Sequence, residues 1–577
     1  MDPIPVKVKH QGKLYDVELD PSTTGETFKF QLYSLTGVEP DRQKVLVKGG
    51  QLKDDTDLSS LKAKPGQTFM MMGTASSGSS ADVLNRPKEQ PKFIEDMTEA
   101  EIAKQEGATP AGLKNLGNTC YLNSTLQVLR SVPEMQEELA LYKPTVNGSS
   151  SLQNLSQFGL GGLQSSQDLT ASLRDLYKQM TETQEGLPPY MFVNALRTAF
   201  PQFAQKSNTG HFAQQDAEEA WSQIISQLRQ KLSIADSSAP NSGFVDKYFA
   251  GKFVSTVSTP EAPDEPSAIT TDTFLKLDCH IDKDTNHLRD GLLAGLTEAI
   301  EKRSESLGRD ATYTKTSRIS RLPQYLTVHF VRFFWKRDVQ KKAKIMKKVT
   351  FPAELDVTEF CTEELKKQLI PVRDKVREIR KDEYDAERAR KRQKIAHKQE
   401  EDRKAEAAAV AEAAPLKKKK ELEEQKGAES KGKVDVPSNE MDVYKTDAEY
   451  EAERAAAIKA AKKDLYALID QNLVSDVGSN KSGLYELRGV ITHQGASADS
   501  GHYTSYVKKT GKLVDDPKAP GGKRREEDGR WWWFNDDVVT EVEAEKIETL
   551  AGGGESHSAL ILLYRAIDLP SKDEVQE

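Results

Sequence analysis

Cysteine is scarce in this chain of 577 residues, which has only Cys120, Cys279 and Cys361. No two of them form a Cys-x-x-Cys pair, so the sequence offers neither a disulfide framework nor a sulfur-rich zinc site. A long apolar run is also missing and the mean hydropathy is −0.65, so we expect no membrane span. The first residues contain no apolar signal region, and we expect a protein of a reducing, intracellular compartment. A lone cysteine there is either a small buried side chain or a nucleophile.

Charge is unevenly distributed along the chain, and the main body is acidic. It carries 82 Lys and Arg against 90 Asp and Glu, and the stretch from Arg373 to Lys433 accounts for 20 of the former and 15 of the latter. The remainder therefore has 62 basic and 75 acidic residues, a net charge of −13. Because phosphate binding needs a basic surface, we do not expect nucleic acid to be the principal partner.

The charged stretch has few aromatic residues and runs from about 373 to 464. Its composition predicts a long exposed helix or a partly disordered insertion, interrupted at Pro415. Ile458, Ala461, Leu465 and Leu468 then form an apolar stripe at helical spacing, which predicts a return to the core. The basic clusters Arg388 to Arg392 and Lys417 to Lys420 are interpreted as a solvated face, in preference to nuclear import signals or nucleic-acid contacts.

Residues 1–74 have the pattern of a small separate domain. Alternating side chains predict four strands, and Phe28, Leu32 and Leu35 predict a helix that ends at Gly37. The predicted elements in chain order are strands 6–9 and 15–19, helix 24–36, and strands 44–48 and 68–72. This ββαββ order, together with the segment from Val47 to Asp55, resembles a ubiquitin-like β-grasp domain.

This domain differs from ubiquitin at its end, because Gly73-Thr74-Ala75-Ser76 replaces a terminal Gly-Gly that could be conjugated. We therefore expect a fixed docking domain. By alignment with ubiquitin, Leu46, Met70 and Met72 correspond to an exposed apolar patch that binds partners. The alternative is that these alternating residues belong to the core.

The rest of the chain divides by composition. Residues 75–105 are rich in Ser, Gly, Pro and charge and predict a linker, 106–568 have a mixed α and β pattern, and 569–577 form a tail. Gly148 to Ser166 predicts a loop. Helices are predicted at 121–130, 169–180 and 216–232, and strands at 273–277, 325–330, 484–487, 502–507 and 559–564.

Cys120 follows the loop Gly112-Leu113-Lys114-Asn115-Leu116-Gly117-Asn118-Thr119 and precedes a helical repeat of leucines. The thiol is thus expected at a helix N-terminus, where free N–H groups and the helix dipole favour a thiolate. Asn115 could donate its amide N–H to an oxyanion that forms beside the thiol. A cysteine with a purely structural role would not need this loop.

A Gly- and Ser-rich segment, Thr492 to Ser500, leads to His502 at the start of a predicted strand. Cysteine acyl-transfer enzymes need an imidazole that takes and returns a proton, so His502 is paired with Cys120. The later sequence Trp531-Trp532-Trp533-Phe534-Asn535-Asp536 ends an aromatic strand in groups that could accept the imidazole N–H. The order Cys, His, Asn or Asp is that of papain-like proteases.

The Cys120 and His502 segments resemble the Cys and His boxes of the ubiquitin-specific proteases. His211 to Glu219, Ile319 to Pro323 and the C-terminal run 550–564 are similar to further segments of that family, and the ubiquitin-like domain to its proteasome-associated subgroup. The resemblance covers residues 4 to 565 apart from the insertion. It implies an α+β fold, with a β-grasp domain followed by a papain-like catalytic domain of fingers, palm and thumb.

The resemblance also implies roles for individual residues. Cys120 is expected to be the nucleophile, His502 the general base, Asn535 the residue that orients the imidazole, and Asn115 the oxyanion donor. Many relatives have Asp where this chain has Asn535, so we expect Asp536 to add electrostatic support for the imidazolium. Ubiquitin is expected to contact Gln214, Gln215, Asp216, Gly501 and Tyr503.

Two segments, Gln494 to Ser500 and Phe333 to Arg337, are expected from the resemblance to be mobile covers over the cleft. No cofactor or metal is expected, because the paired cysteines of a zinc-bound fingers region are missing and the fingers must be held in another way.

The expected function is hydrolysis of the isopeptide bond after the last glycine of ubiquitin, at the proteasome and activated by docking there. The expected partners are polyubiquitinated proteins and the 26S proteasome regulatory particle, and the expected location is the cytoplasm and nucleus. One alternative is a non-catalytic scaffold that binds proteasome and ubiquitin, which the amide at Asn535 would permit. Another is an acyltransferase such as a transglutaminase, which would not explain the ubiquitin-like domain.

Overall fold

A computed structural model gives the structure of the chain, which divides into two compact units, Met1–Asp96 and Met97–Glu577. The residues that it describes are 3–10, 12–36, 38–47, 50–61, 63–73, 97–105, 107–144, 168–207, 210–234, 243–336, 341–413, 447–497, 500–515, 523–526 and 528–569. Most of the predicted linker and the predicted loop at 148–166 lie outside the described residues, as does Pro415.

The first unit is a five-stranded sheet in the order β2-β1-β5-β3-β4 with one helix packed on it. Its elements are β1 Ile4–His10, β2 Lys13–Leu19, α1 Gly25–Thr36, β3 Lys44–Val47, β4 Gly50–Gln51 and β5 Thr68–Met72. Phe28 and Leu32 are buried as the helical spacing predicted. Leu35, the third apolar residue at that spacing, is 48% exposed.

The outer face of this sheet carries apolar side chains. Cross-strand pairing places Leu14 opposite Lys9, Lys9 opposite Met70, and Met70 opposite Leu46, which makes one continuous row. Leu46, Met70 and Met72 are 41%, 51% and 49% exposed, so the alternative that assigned them to the core is wrong. The pleat explains this, because their neighbours Val45 and Met71 point into the core instead.

The second unit combines helices with two principal sheets. Its helices are α2 Glu99–Ala103, α3 Cys120–Arg130, α4 Pro133–Leu141, α5 Leu169–Met180, α6 Tyr190–Ala199, α7 Ala217–Lys231, α8 Phe244–Tyr248, α9 Leu288–Gly295, α10 Glu363–Ala413, α11 Asp447–Leu468, α12 Gln471–Ser475 and α13 Glu545–Glu548. Its strands are β6 Gly251–Ser258, β7 Ala268–Phe274, β8 Leu277–His280, β9 Thr297–Arg303, β10 Asp310–Arg321, β11 Tyr325–Val331, β12 Phe333–Lys336, β13 Lys341–Lys344, β14 Glu354–Asp356, β15 Leu484–Ser497, β16 Ser500–Lys508, β17 Lys512–Asp515, β18 Lys523–Glu526, β19 Trp531–Asn535, β20 Val538–Val542 and β21 Ser558–Ala566.

The large sheet runs β20-β19-β16-β15-β21-β11-β8 and supports the catalytic histidine candidate on β16. Helix α3 packs directly against β16, so the segment that starts with Cys120 lies on the strand that carries His502. The predicted strand at 273–277 is wrong as one element, because β7 ends at Phe274 and β8 begins at Leu277. The two halves of that run join different sheets, which its local alternation could not reveal.

A separate four-stranded sheet, β7-β6-β10-β9, corresponds to the predicted fingers. At its far end the Glu265 carboxylate accepts hydrogen bonds from Ser304, Ser306 and Tyr313, which come from the β9–β10 turn and from β10. Ser304 and Tyr313 are buried. The Glu265 carboxylate, with three hydroxyl donors, therefore links the β6–β7 loop to the β9–β10 turn at this end of the fingers.

The predicted start of the charged insertion, at about residue 373, lies inside the 51-residue helix α10. Val372, Val376 and Ile379 of α10 pack against Leu465 of α11, and Lys462 pairs with Glu383 at 2.8 Å. Leu465 is buried, whereas Leu468 is 44% exposed, so the predicted returning stripe is correct only in part. Among the described helices, none is long and apolar enough to cross a membrane.

Candidate active site

Cys120 is the first residue of α3 and is only 3% exposed. The preceding loop is closed by its own side chains: the Asn115 Oδ1 atom accepts hydrogen bonds from the backbone N–H groups of Gly117 and Thr119 at 2.9 and 3.2 Å. Gly117 and Asn118 both have positive φ angles, 91° and 55°. The chain can reverse there and enter the helix at Cys120, which confirms the predicted position of the thiol at a helix N-terminus.

The thiol of Cys120 is held in its neutral form. Burial raises its pKa to about 11, while the backbone N–H groups of Tyr503 and Tyr121 act in the opposite direction, and the Asp536 carboxylate raises the pKa further. The contact with the N–H of Tyr503 brings the sulfur beside the residue that follows His502. A thiolate at neutral pH therefore requires a base that removes the proton.

His502 lies on β16, and its Nε2 atom is 2.5 Å from Oδ1 of Asn535 on the neighbouring strand β19. With the amide oxygen as the acceptor, Nε2 carries the proton and donates it, so Nδ1 is the unprotonated ring nitrogen. His502 is the third residue of its strand, two positions later than the sequence pattern predicted.

Gly501 gives His502 its position. It has a φ of 128°, and a Cβ atom there would lie 2.1 Å from the Gln494 carbonyl oxygen and 2.7 Å from Nε2 of His493. No side chain fits this space, so the residue before the histidine must be glycine. Tyr503, on the other side of His502, is fully buried and pairs with His493 across the sheet.

Asp536 does not hydrogen-bond to His502 in the described structure. Its Oδ2 atom accepts a hydrogen bond from Nδ2 of Asn115 at 3.0 Å, and its Oδ1 atom accepts one from Nδ2 of Asn123 at 2.8 Å. The Asp536 carbonyl also accepts from the N–H of Leu113 at 2.9 Å. Asn535 is thus the direct partner of the imidazole, and Asp536 joins the β19–β20 turn to the loop before Cys120.

Asn123 was missed by sequence reasoning. It lies one turn into α3, is 2% exposed, and its Nδ2 atom donates to the Leu113 carbonyl as well as to Asp536. A polar residue three positions after Cys120 was the available signal.

The β19–β20 turn is also closely packed at Asp537. A Cβ atom on Gly112 or Gly186 would lie 2.4 or 2.5 Å from an atom of Asp537.

The predicted ubiquitin-binding segment, Gln214 to Asp216, precedes α7. The Asp216 side chain caps that helix by accepting the N–H of Glu218 at 3.0 Å. Just before this segment, the carbonyl of Phe212 accepts a hydrogen bond from Nδ2 of Asn118 at 2.9 Å. The segment is therefore tied to the loop that carries Cys120.

Two further histidines lie behind His502. The His557 ring centroid is 6.4 Å from that of His502, and the ring of fully buried His493 packs edge to face on Phe333 and Tyr503. Burial lowers the pKa of His493 to about 3 and that of His557 to about 4, so both are neutral at pH 7.

Of the predicted cover at Phe333 to Arg337, residues 333–336 form β12, which pairs with β13 as a hairpin, and residue 337 lies outside the described residues. Ala343 of β13 pairs with Ser497 at the end of β15, and Lys344 donates to the His493 carbonyl at 2.5 Å. The other predicted cover, Gln494 to Ser500, is mostly an extension of β15 and β16, and residues 498 and 499 lie outside the described residues.

Cys279 and Cys361 are buried in the second core cluster, away from these groups, and burial raises the pKa of each thiol to about 12. Among the described residues, no group of His, Cys, Asp and Glu side chains could hold a metal ion. Cys120 is thus the cysteine that the fold places at a helix N-terminus against the strand that carries His502, with the backbone N–H of Tyr503 directed at its sulfur.

Comparison with known proteins decides the family. The ubiquitin carboxyl-terminal hydrolase family matches residues 111–564, and the ubiquitin family matches residues 4–76. The chain belongs to the ubiquitin carboxyl-terminal hydrolase family. It is similar over nearly the full length of both chains to ubiquitin carboxyl-terminal hydrolase 6 of Schizosaccharomyces pombe, with 42% identity over 98% of this chain and 99% of the relative.

Two other relatives in this hydrolase family match in the same way. Ubiquitin carboxyl-terminal hydrolase 7 of Arabidopsis thaliana is 37% identical over 97% of this chain and 98% of its own. Ubiquitin carboxyl-terminal hydrolase 14 of Caenorhabditis elegans is 31% identical over 97% and 93%. The protein is therefore a cysteine-type deubiquitinase with an N-terminal ubiquitin-like domain, and the prediction of this enzyme class is confirmed.

Proposed function

We propose that this deubiquitinase uses Cys120 as its nucleophile, His502 as its general base and acid, and Asn535 to orient the imidazole. The hydrogen bond between His502 Nε2 and Asn535 Oδ1 supports this most directly, because it fixes the tautomer in which Nδ1 is free to accept the thiol proton. A thiol with a pKa of about 11 needs such a base.

In the first step, Nδ1 takes the proton from Cys120 and the sulfur attacks the carbonyl carbon of the last glycine of ubiquitin. The tetrahedral intermediate collapses when the imidazolium of His502 gives its proton to the lysine amine that leaves. Water then attacks the thioester, with the imidazole again as base, and releases ubiquitin and the free thiol.

Asn115 is proposed as the donor to the oxyanion of this intermediate. One N–H of its amide is engaged by Asp536, and Asn115 Oδ1 is held by the N–H groups of Gly117 and Thr119. The amide is thus fixed at both ends, and its second N–H is available for the oxyanion. Asp536 contributes by holding Asn115, with Asn123 on its other oxygen.

Ubiquitin is proposed to reach Cys120 between the segment Gln214 to Asp216 and the start of β16 at Gly501 and Tyr503. The first segment is tied to the nucleophile loop through Phe212, and the second surrounds His502. A tail that ends in two glycines suits a narrow approach, because it has no side chains near the reacting carbonyl.

The ubiquitin-like domain is proposed to dock this enzyme on the regulatory particle of the 26S proteasome and to activate it there. The support is the exposed row of Leu14, Met70 and Leu46 with Met72 beside it, interrupted by Lys9 and flanked by Lys44. Exposed large apolar residues on one face of a small domain mark a partner surface. In keeping with this docking role, we propose that the enzyme is bound to proteasomes in the cytoplasm and the nucleus.

The catalytic roles can be tested with ubiquitin that carries a C-terminal electrophile, added to the full chain with and without proteasomes. We expect an adduct that forms on Cys120, is lost in Cys120→Ala, and forms faster when proteasomes are present. An adduct that persists in Cys120→Ala, or none under either condition, would contradict the assignment.

The docking role is tested by co-sedimentation with proteasomes. Met70→Glu should abolish co-sedimentation, because it places a charge in the centre of the apolar row. Ser34→Glu, an exposed position on α1, serves as the matched control and should have no effect. Equal co-sedimentation of Met70→Glu and the unaltered chain would reject this surface as the docking site.

A further inference from the structure

Asn118 takes no part in the chemistry proposed above, yet its conformation is unusual. It lies two residues before Cys120 and has a φ of 55°, in the left-handed region that non-glycine residues seldom adopt. Its Nδ2 atom donates a hydrogen bond to the Phe212 carbonyl at 2.9 Å, across 94 residues of sequence. This side chain thus joins the loop before Cys120 to the segment that precedes α7.

The acceptor of this hydrogen bond is itself well fixed. The guanidinium carbon of Arg197 lies 3.5 Å from the centre of the Phe212 ring, a stacked cation–π contact. Phe212 also pairs with Lys206 as a β-bridge, and the N–H of Ala213 donates to the Gln205 carbonyl at 2.9 Å. The Phe212 carbonyl is therefore a rigid reference point two residues before Gln214.

We propose that Asn118 is a positioning residue that sets the separation between the nucleophile and the segment Gln214 to Asp216. The proposal rests on the roles given above to Cys120 and to that segment. A bound ubiquitin tail presents its last carbonyl at a place set by the segment, while Cys120 Sγ is placed by the loop. One cross-link between the two keeps sulfur and carbonyl in reach for attack.

Asparagine is the residue that can do this. Glycine, asparagine and aspartate tolerate the left-handed conformation, and of these only asparagine has a side-chain N–H. Asn118→Gly therefore keeps the backbone and removes the hydrogen bond. Asn118→Asp keeps the shape and the backbone preference but turns an oxygen toward the Phe212 carbonyl.

The test uses the full chain and a ubiquitin with a fluorogenic C-terminal amide, with kcat and KM measured separately. Loss of one hydrogen bond predicts that Asn118→Gly lowers kcat about threefold to tenfold, and Asn118→Asp by more, with KM within about twofold. The rate at which iodoacetamide alkylates Cys120 should stay within about twofold of that of the unaltered enzyme, since this small reagent does not depend on the segment Gln214 to Asp216. Lys114→Ala, an exposed side chain of the same loop, is the control and should change neither rate.

Unchanged kcat in Asn118→Gly would overturn the proposal. An equal loss of kcat and of iodoacetamide reactivity would also overturn it, because that result describes general damage to the nucleophile. Cys120→Ala separates the two levels of the argument: activity that survives in this variant refutes the proposed nucleophile, whatever Asn118 does.

Discussion

Replacing Asp536 by asparagine removes one negative charge and one hydrogen-bond acceptor from the centre of the site. The carboxylate now accepts from Asn115 Nδ2 at 3.0 Å and from Asn123 Nδ2 at 2.8 Å. An amide in the same place has only one oxygen, so its NH2 group must face one of these two donors. The Leu113 N–H bond to the backbone carbonyl is expected to remain, which keeps the turn in place.

The size of the effect follows from the lost hydrogen bond. A hydrogen bond to a charged group contributes about 1.5–3 kcal/mol. Since the exposed Asn115 is the proposed donor to the oxyanion, we expect the loss to appear as poorer stabilisation of the transition state. This corresponds to a fall in kcat of about 10-fold to 100-fold, with KM little changed.

The same substitution is expected to make the thiol more reactive. Asp536 raises the pKa of Cys120, so removing its charge lowers that pKa and increases the thiolate fraction at a given pH. The assay therefore measures two rates at pH 8: hydrolysis of ubiquitin with a fluorogenic C-terminal amide, and alkylation of Cys120 by iodoacetamide. We expect the first to fall and the second to rise in Asp536→Asn.

Local unfolding of the loop before Cys120 would also lower kcat and raise alkylation, because it would expose a thiol that is only 3% exposed and whose pKa burial raises. Limited proteolysis of residues 112–119 distinguishes the two explanations, since local unfolding would accelerate cleavage there and the removal of a charge would not. Hydrolysis within twofold of the unaltered enzyme would refute the argument that Asp536 holds the oxyanion donor. Alkylation that does not increase would refute the electrostatic part.

Three further predictions follow from the same site. Asn535→Asp should keep kcat within about threefold of the unaltered enzyme or raise it, because an acceptor for His502 remains and a charge is added. Asn535→Leu should lower kcat at least 10-fold in the same hydrolysis assay. Equal activity of the two variants would contradict the orienting role. Gly501→Ala should lower the free energy of unfolding by about 1–3 kcal/mol and reduce kcat, because its Cβ would meet the Gln494 carbonyl oxygen at 2.1 Å. Urea unfolding at pH 7 measures the change in stability, and an unchanged free energy of unfolding would refute the clash. Acidification should destabilise the enzyme through His493: its pKa of about 3 is below the ordinary 6.5, so the unfolded state binds more protons and stability is lost as pH falls below about 6.5. Between pH 7 and 5 we expect this residue to lower the free energy of unfolding by about 2 kcal/mol, and His493→Phe should abolish this part of the pH dependence. The same pH dependence of urea unfolding in His493→Phe and in the unaltered enzyme would contradict the prediction.

The ubiquitin-like domain and the nucleophile helix could be predicted because their patterns are local. Strand alternation and the leucine spacing after Cys120 depend on neighbours in the sequence, and the structure agrees with both. Errors arose where distant contacts decide. Leu468 fits the predicted returning stripe but is exposed, and the run at 273–277 is divided between two sheets.

The partner of His502 shows the same limit at the site. The sequence offered both Asn535 and Asp536, adjacent and chemically similar, and nothing local separates them. Asp536 has a φ of 54°, so the chain turns between the two side chains and sends them to different neighbours. Asn123 was missed for a related reason, since its carboxylate partner is 413 residues away.

The sequence by itself determined the enzyme class, the candidate nucleophile and base, and the presence of a ubiquitin-like domain, because each depends on residue types in a specific order. The tertiary structure decided how these parts act together. It paired Asn535 with the imidazole and Asp536 with Asn115, tied Asn118 to Phe212, and kept the thiol neutral by burial. These outcomes depend on distances between atoms that are far apart in the chain, and folding alone fixes those distances.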